Sequence, residues 1–192
     1  MKRISLSIIV MIFVILSVSA QKKEVCNITT SLGEITVELY PEKAPITVAN
    51  FLKYIDAHLY DNCSFFRAVT LNNQPKDSIK IEVIQGGEID SIKTFAPIAL
   101  ETTKQTGLSH KNGTLSMARD KPNSATTNFF ICINDQPSLD YGGKRNIDGQ
   151  GFAAFGSVIK GMKIVKKIQQ LHPEQSQYFK PEIRIISITR KK

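Results

Sequence analysis

Apolar and polar residues alternate along the first part of the chain with the period of a half-buried strand. Ile35, Val37 and Leu39 each stand between polar neighbours, so one face of this strand is predicted to meet a core and the other to meet water. The strand at 34–40 follows another at 25–30, and a short turn separates them. This arrangement predicts a β-hairpin.

The centre of the chain is predicted to form a strand, a polar loop and a second strand. A short apolar strand includes Leu115, a polar loop covers 119–127, and a strongly apolar strand covers 129–133. Successive side chains of a strand point to opposite faces, so Asn128 and Phe130 share one face. An amide beside an aromatic ring, next to a loop of backbone donors, is suited to hold an extended peptide.

Two helices are predicted from apolar residues at helical spacing. The first follows Pro45, and the second begins at Gly161 with an apolar stripe through Val165. The predicted strands come in runs and do not alternate with helices, so the pattern of about eight strands indicates an all-β barrel or sandwich. The remaining strands are predicted at 64–69, 79–85, 152–158 and 181–189.

The first twenty residues have the layout of a secretory signal. Two basic residues precede an apolar run, and small residues follow it up to Ala20, so we expect cleavage after Ala20. Residues 21–192 then form one mature domain, exported to the periplasm or the cell exterior. The alternative is an uncleaved anchor, but the apolar span at 4–18 is shorter than the ~20 residues of a membrane-spanning helix. We therefore expect no stable membrane span after cleavage.

Composition restricts the function classes. A chain of 192 residues with 42% hydrophobic residues is typical of one globular domain. The net charge is +8, but the basic residues are scattered, so we do not expect nucleic-acid binding. We expect a monomer.

The cysteines and histidines suggest neither a metal site nor a catalytic triad. Cys26, Cys63 and Cys132 are far apart, which leaves open one disulfide with one thiol or three buried thiols; we favour the thiols. His110 has no partner near it in the sequence, so we interpret it, like the other two histidines, as a surface or capping residue. Those other two are His58 and His172.

Four segments resemble the cyclophilin-type peptidyl-prolyl isomerases. LSMARDKPNSATTNFFI at 115–131 resembles the central signature of that family. SFFRAV at 64–69 resembles the strand that carries its functional arginine, and VIQGGE at 83–88 resembles its Gln-Gly-Gly turn. The Phe-Gly pair at 155–156 matches the run into its last helix. The segments follow the family's order, and the resemblance extends over 25–189.

The resemblance implies a fold and an activity. The fold is a closed eight-stranded antiparallel barrel capped by two α-helices, and the activity is cis-trans isomerisation of Xaa-Pro bonds in exported polypeptides that contain proline. The family needs neither a cofactor nor a metal. Spacing alone favours Arg67 as an edge-strand arginine whose head reaches water; the resemblance instead makes it catalytic. It also implies substrate-binding roles for Val83, Gln85, Ala118, Arg119, Asn128, Phe130, Leu139 and Phe152.

The chain departs from the family's usual residues around the expected pocket. Glu82 and Val83 stand where the family usually has an aromatic, Asn128 where it often has Gln, and Ser138 where some members have Trp. Phe152 occupies a position that often carries His or Tyr. We expect reduced turnover or altered preference, and weak binding of the cyclic-peptide drug that the Trp helps to hold.

Two loops are longer than the resemblance implies. The segment at 71–80 is a polar surface insertion, and the glycine-rich segment at 141–151 is expected to be a mobile rim. Two other functions stay open. One is a weakly active or inactive peptide-binding or chaperone module on the same barrel, and the other is an unrelated barrel for a small ligand.

Overall fold

The computed structural model describes residues 23–172 and 176–191, so the predicted signal segment at 1–20 lies outside the described residues. Eight strands form one closed antiparallel barrel, as the resemblance implies. The strands are β1 (Glu24–Thr30), β2 (Gly33–Leu39), β3 (Ser64–Val69), β4 (Val83–Gly86), β5 (Thr114–Met117), β6 (Phe129–Cys132), β7 (Ala153–Lys160) and β8 (Tyr178–Arg190). Their order around the barrel is β1-β2-β7-β5-β6-β4-β3-β8.

In the described part of the chain, three α-helices accompany the barrel: α1 (Pro45–Asp56), α2 (Thr103–Thr106) and α3 (Met162–Gln170). The apolar stripes of α1 and α3 predict these two helices, and both contribute to the core. The short helix α2 is an addition to the prediction. It is a single turn specified by a capping box between Thr102 and Gln105, and one turn is too short to produce an apolar period.

The barrel interior is filled by aromatic rings from several elements. Phe51 of α1 packs against Phe129 of β6 at 5.4 Å and against Phe155 of β7 at 5.1 Å between ring centroids. Complete burial of such a side chain contributes roughly 1.5–3 kcal/mol. Phe130 belongs instead to a separate, smaller apolar cluster. The alternation predicted for this strand is therefore confirmed, and Phe130 is free to serve a site outside the core.

Strand register places three candidate site residues in one row. Arg67 of β3 is opposite Gln85 of β4, Gln85 is opposite Phe130 of β6, and Phe130 is opposite Ser116 of β5. Directly opposite residues on one face have Cβ atoms about 4.5–5.5 Å apart. The pairing thus brings together side chains that are far apart in the sequence.

Gly86 ends β4 and Gly87 follows it, at the point where the chain lies close to β3 and β6. A Cβ atom on Gly86 would lie 2.7 Å from the backbone oxygen of Ser64, and one on Gly87 would lie 2.8 Å from the ring of Phe129. Gly87 also has a φ of +86°, which side-chain-bearing residues rarely adopt. These glycines let β4 lie close to both neighbours, which fixes the position of Gln85.

The three cysteines are free thiols. Burial raises the pKa of Cys26 and of Cys63 to about 12, and burial also raises the pKa of Cys132. Among the described residues, none of the helices combines the length and the apolar character needed to cross a bilayer.

Candidate active site

One cavity of about 340 Å³ is lined by all nine residues that the resemblance singles out. These are Arg67, Val83, Gln85, Ala118, Arg119, Asn128, Phe130, Leu139 and Phe152. Their convergence was implied by the resemblance, and their individual roles stay predictions. Six further lining residues were not predicted: Ile81, Asp120, Ser124, Thr126, Arg145 and Asn146.

The apolar part of the cavity is a slot between aromatic and aliphatic side chains. Phe130 and Phe152 meet edge to face, with centroids 5.3 Å apart and planes at 88°. Val83 and Leu139 pack in the same cluster as Phe130. A pyrrolidine ring buried among these side chains would lose its apolar contact with water, which is the main favourable term available for holding proline.

The polar part of the cavity is dominated by Arg67. Its Nη1 donates to Oε1 of Gln85 at 2.9 Å, while Nε and Nη2 donate to Oε1 of Gln177 at 2.9 and 2.6 Å. Both acceptors are neutral amides, so these bonds orient the guanidinium without cancelling its charge. Burial lowers the pKa of Arg67 from its ordinary value, but an arginine remains protonated at neutral pH.

Gln177 was not predicted as part of the site. Its Nε2 donates to the backbone oxygen of Asn73 at 2.9 Å, and the side chain of Asn73 bonds to the backbone of Ala68 and Thr70. The segment at 71–80 was predicted to be a surface loop, but Asn73 and Gln74 are buried in the structure. The reason is that their amides satisfy backbone groups, which apolar periodicity does not reveal.

The interpretation of His110 as a surface or capping residue is wrong. Its residue is 1% exposed, its Nδ1 lies 2.6 Å from Oδ1 of Asp140, and its Nε2 lies 2.9 Å from Oγ of Ser116. Its ring stacks on Phe130 with centroids 5.9 Å apart. Asp140 is 30 residues away in sequence, so local spacing gave no signal. By contrast, His58 is exposed and His172 bonds to the backbone of Gln169 at the end of α3.

The order Ser116–His110–Asp140 resembles the triad of serine hydrolases, but the geometry excludes that chemistry. Ser116 is completely buried, so its hydroxyl is out of reach of a substrate carbonyl. Asp140 directly follows the short 3₁₀ turn Pro137–Leu139. His110 therefore connects this turn, which carries Leu139, to the strand pair behind Phe130, and it fixes two walls of the slot.

Arg119 anchors the glycine-rich rim to the barrel. Its Nη1 and Nη2 donate to the two carboxylate oxygens of Asp148 at 2.7 and 2.9 Å, and its Nε donates to the backbone oxygen of Gly151 at 2.9 Å. The hydrogen bonds from Arg119 hold the pKa of Asp148 below its usual range. The segment at 141–151, predicted to be mobile, is thus attached at its C-terminal half.

Comparison with known sequences identifies similar proteins over most of the chain. The family model described as cyclophilin type peptidyl-prolyl cis-trans isomerase/CLD matches residues 25–190. A peptidyl-prolyl cis-trans isomerase of Acinetobacter baylyi is 36% identical over 159 residues, which cover 80% of this chain and 76% of that protein. Peptidyl-prolyl cis-trans isomerase B of Escherichia coli is 36% identical over 145 residues, which cover 73% of this chain and 80% of that protein.

Comparison with solved structures gives the same fold. A cyclophilin type peptidyl-prolyl cis-trans isomerase of Cryptosporidium parvum superposes with a TM-score of 0.72 at 23% identity, and the match covers 89% of this chain and 99% of that one. A second structure of that protein, obtained in the presence of the dipeptide Ala-Pro, has a TM-score of 0.69 at 23% identity and covers 88% of this chain and 99% of that one.

Proposed function

Since the chain belongs to the cyclophilin-type peptidyl-prolyl cis-trans isomerases, we propose that it isomerises Xaa-Pro bonds in exported polypeptides, with Arg67 as the catalytic group. The family membership gives the reaction itself. The acting residues, the polypeptides served, the compartment and a monomeric working state are our proposal.

The reaction is slow without a catalyst because the nitrogen lone pair is shared with the carbonyl. Rotation about a peptide bond has a barrier of about 18–20 kcal/mol, and Xaa-Pro bonds interconvert over tens to hundreds of seconds. The nitrogen lone pair becomes localised when the amide is twisted. A catalyst must therefore bind the twisted amide more strongly than either planar form.

The observation that carries the proposal is that the guanidinium of Arg67, which no carboxylate neutralises through a hydrogen bond, lies beside the apolar slot. Arg67 and Phe130 line the same cavity, and the hydrogen bonds from Arg67 go to the neutral amides of Gln85 and Gln177. With proline held against Phe130, the guanidinium can donate to the substrate carbonyl oxygen and, once the bond twists, to the proline nitrogen. This interaction strengthens as conjugation is lost, so it stabilises the transition state electrostatically.

Export is supported by the sequence alone. Residues 1–20 contain basic residues, then an apolar run and then small residues, which is the order of a cleavable secretory signal. Expression of the full chain in a bacterium, followed by N-terminal sequencing of the periplasmic and membrane fractions, tests this. We expect a soluble periplasmic product that begins at Gln21, whereas an intact N-terminus in the membrane fraction would support the anchor.

The activity is tested on the mature chain, residues 21–192. Exchange between the cis and trans forms of a proline peptide is measured by NMR with and without the protein. We expect faster exchange when the protein is present. Peptide binding without faster exchange would support the alternative of an inactive peptide-binding module. This alternative is tested because the chain has Glu82 and Val83 where the family usually has an aromatic residue.

A further inference from the structure

We propose that Arg145 makes the cavity prefer substrates that carry an acidic residue on one particular side of the proline. The inference rests on the proposed function, because it specifies the polypeptides that the same cavity accepts. Arg145 lies in the long rim segment at 141–151 and lines the cavity together with Arg67. It is a specificity residue, distinct from the catalytic group.

The position of Arg145 along the cavity follows from strand register. In the β4–β6 pair, Val83 is opposite Cys132 and Gly86 is opposite Phe129. Ile81 therefore lies beyond one end of the paired segment and Asn128 lies beyond the other. Nη1 of Arg145 donates to the backbone oxygen of Ile79 at 2.6 Å, which places its guanidinium at the Ile81 end.

The charges at the two ends of the cavity are unequal. At the Asn128 end, Arg119 is paired in bidentate fashion with Asp148, and Asp120 also lines the cavity. The backbone of Asp120 bonds to Ser124, which belongs to the loop leading to Asn128. With one positive charge on Arg119 and two negative charges on Asp148 and Asp120, this end has a net negative charge.

The Ile81 end carries an excess of positive charge. Burial is the main cause of the lowered pKa of Arg67, and the charge of nearby Arg145 lowers it further. The carboxylate partner of Arg145 is Asp77, at 3.3 Å, and the side chain of Asp77 is 43% exposed while that of Arg145 is 15% exposed. Because Asp77 is partly open to water, solvent screens its attraction for Arg145, so a substrate carboxylate can share or replace Asp77. The flat guanidinium suits a carboxylate in particular.

The chemistry recognised is thus an extended peptide with Asp or Glu close to proline, on the side that reaches the Ile81 end. A cationic side chain at that position would meet both Arg145 and Arg67. Because the cavity is asymmetric, the preference is expected on one side of the proline and not on the other.

The test is a set of proline peptides in which Asp replaces Asn at each of the three positions before and after the proline. Exchange rates and dissociation constants are both measured by NMR on the mature chain. We expect Asp on one side to raise kcat/KM and lower Kd by about two- to fivefold, and we expect high salt to remove the difference.

Three variants assign the preference to its residue. R145Q should abolish it. K144Q should preserve it, because Lys144 is an exposed neighbour in the same segment and its replacement makes the same change in net charge. D77N should strengthen it, because this substitution removes the competing carboxylate and leaves Arg145 in place. Because D77N keeps Arg145, a stronger preference in D77N would show that the charge of Arg145 acts on the substrate, even if R145Q disorders the rim.

Equal results for Asp and Asn at every position overturn the inference. So does a preference that survives R145Q, or one that K144Q reduces as much as R145Q does. Tighter binding of the acidic peptides without isomerisation would support the inference and contradict the proposed function, whereas isomerisation without charge preference would overturn the inference alone.

Discussion

The side-chain oxygen of Gln177 accepts two hydrogen bonds from Arg67, at 2.9 Å from Nε and 2.6 Å from Nη2. The amide nitrogen of Gln177 is in turn held by the backbone of Asn73. Because Gln85 of β4 binds the remaining side of the guanidinium, the direction of Arg67 is fixed from β4 and from the residue before β8. Gln177 is therefore a positioning residue.

We expect Q177A to lower kcat by about tenfold, since a hydrogen bond to a charged group is worth roughly 1.5–3 kcal/mol, and to change KM much less. Q177E keeps an acceptor for Arg67 but cancels its charge and loses the bond to the backbone oxygen of Asn73, so kcat should stay low. Steady-state kinetics measure these effects.

The control for Gln177 is Q150A, which removes an amide side chain that does not line the cavity. We expect wild-type kinetics from it. A Q177A protein with normal kcat, or one whose loss of kcat is restored in full by Q177E, would show that Gln177 does not act by orienting an uncancelled cation.

Replacing His110 should affect both stability and substrate affinity. H110A removes the ring that bonds to the buried hydroxyl of Ser116 and to Asp140, although Asp140 keeps the bond from the backbone N–H of residue 110; this should lower the free energy of unfolding by about 2–3 kcal/mol. KM for proline peptides should rise, because Phe130 loses the ring stacked against it. Urea unfolding and kinetics give both values.

The exposed His58 provides the comparison, and H58A should change stability by less than about 0.5 kcal/mol. Equal effects of the two substitutions would contradict the assignment of His110 as the support of Phe130.

The thiols should be unreactive in the folded protein. The raised pKa values of Cys26 and Cys63, about 12, leave almost no thiolate at pH 8, and burial restricts access. A thiol reagent should label the native protein only slowly and should label all three cysteines after unfolding in denaturant. Rapid labelling of a native thiol, or a disulfide detected by mass spectrometry, would contradict the structure.

The same shifts give a direction for alkaline stability. A thiol whose folded pKa is raised stabilises the fold fully below its unfolded pKa of about 8.5, and this contribution is lost as pH rises toward about 12. We expect the C26A/C63A double variant to show a smaller loss of stability between these pH values than the wild type, as measured by urea unfolding at each pH.

The Arg119–Asp148 pair should control how firmly the rim is attached. The lowered pKa of Asp148 means that the stabilisation is complete above the ordinary carboxyl range near 4 and is lost as pH falls through the lowered value. D148N should therefore raise hydrogen exchange of the backbone at 141–151 at neutral pH, to the level that the wild type reaches only in acid.

D135N makes the matched change in a different ion pair, that of Lys111 with Asp135. It should leave exchange at 141–151 unchanged. Unaltered exchange in D148N would contradict the anchoring role of Arg119.

Periodicity and motif resemblance predicted the barrel and nine of the residues that line the cavity. Alternation along 129–133 correctly separated Phe129, which faces the core, from Phe130, which faces the cavity, because burial on two different faces leaves a period in the sequence. The family motifs then indicated Arg67 and Gln85, which register places on adjacent strands.

The supports of the site could not be predicted in the same way. Gln177 and Arg67 are 110 residues apart, and Arg145 and Ile79 are 66 apart, so these contacts depend on how loops fold over the barrel. Polar side chains that bond to backbone groups, as Asn73 does, leave no hydrophobic period. His110 was misassigned for the same reason, since Asp140 reaches it only in three dimensions.

The central claim is that the charge of Arg67 lowers the barrier to rotation, and the most direct test is the NMR exchange rate of one proline peptide with R67A and R184A. Arg184 is exposed and does not line the cavity, so the two variants make the same change in net charge. We expect R67A to lower kcat/KM by about 10²–10³-fold with the fold and peptide binding retained, and R184A to match the wild type. Equal rates for R67A and R184A would contradict the account.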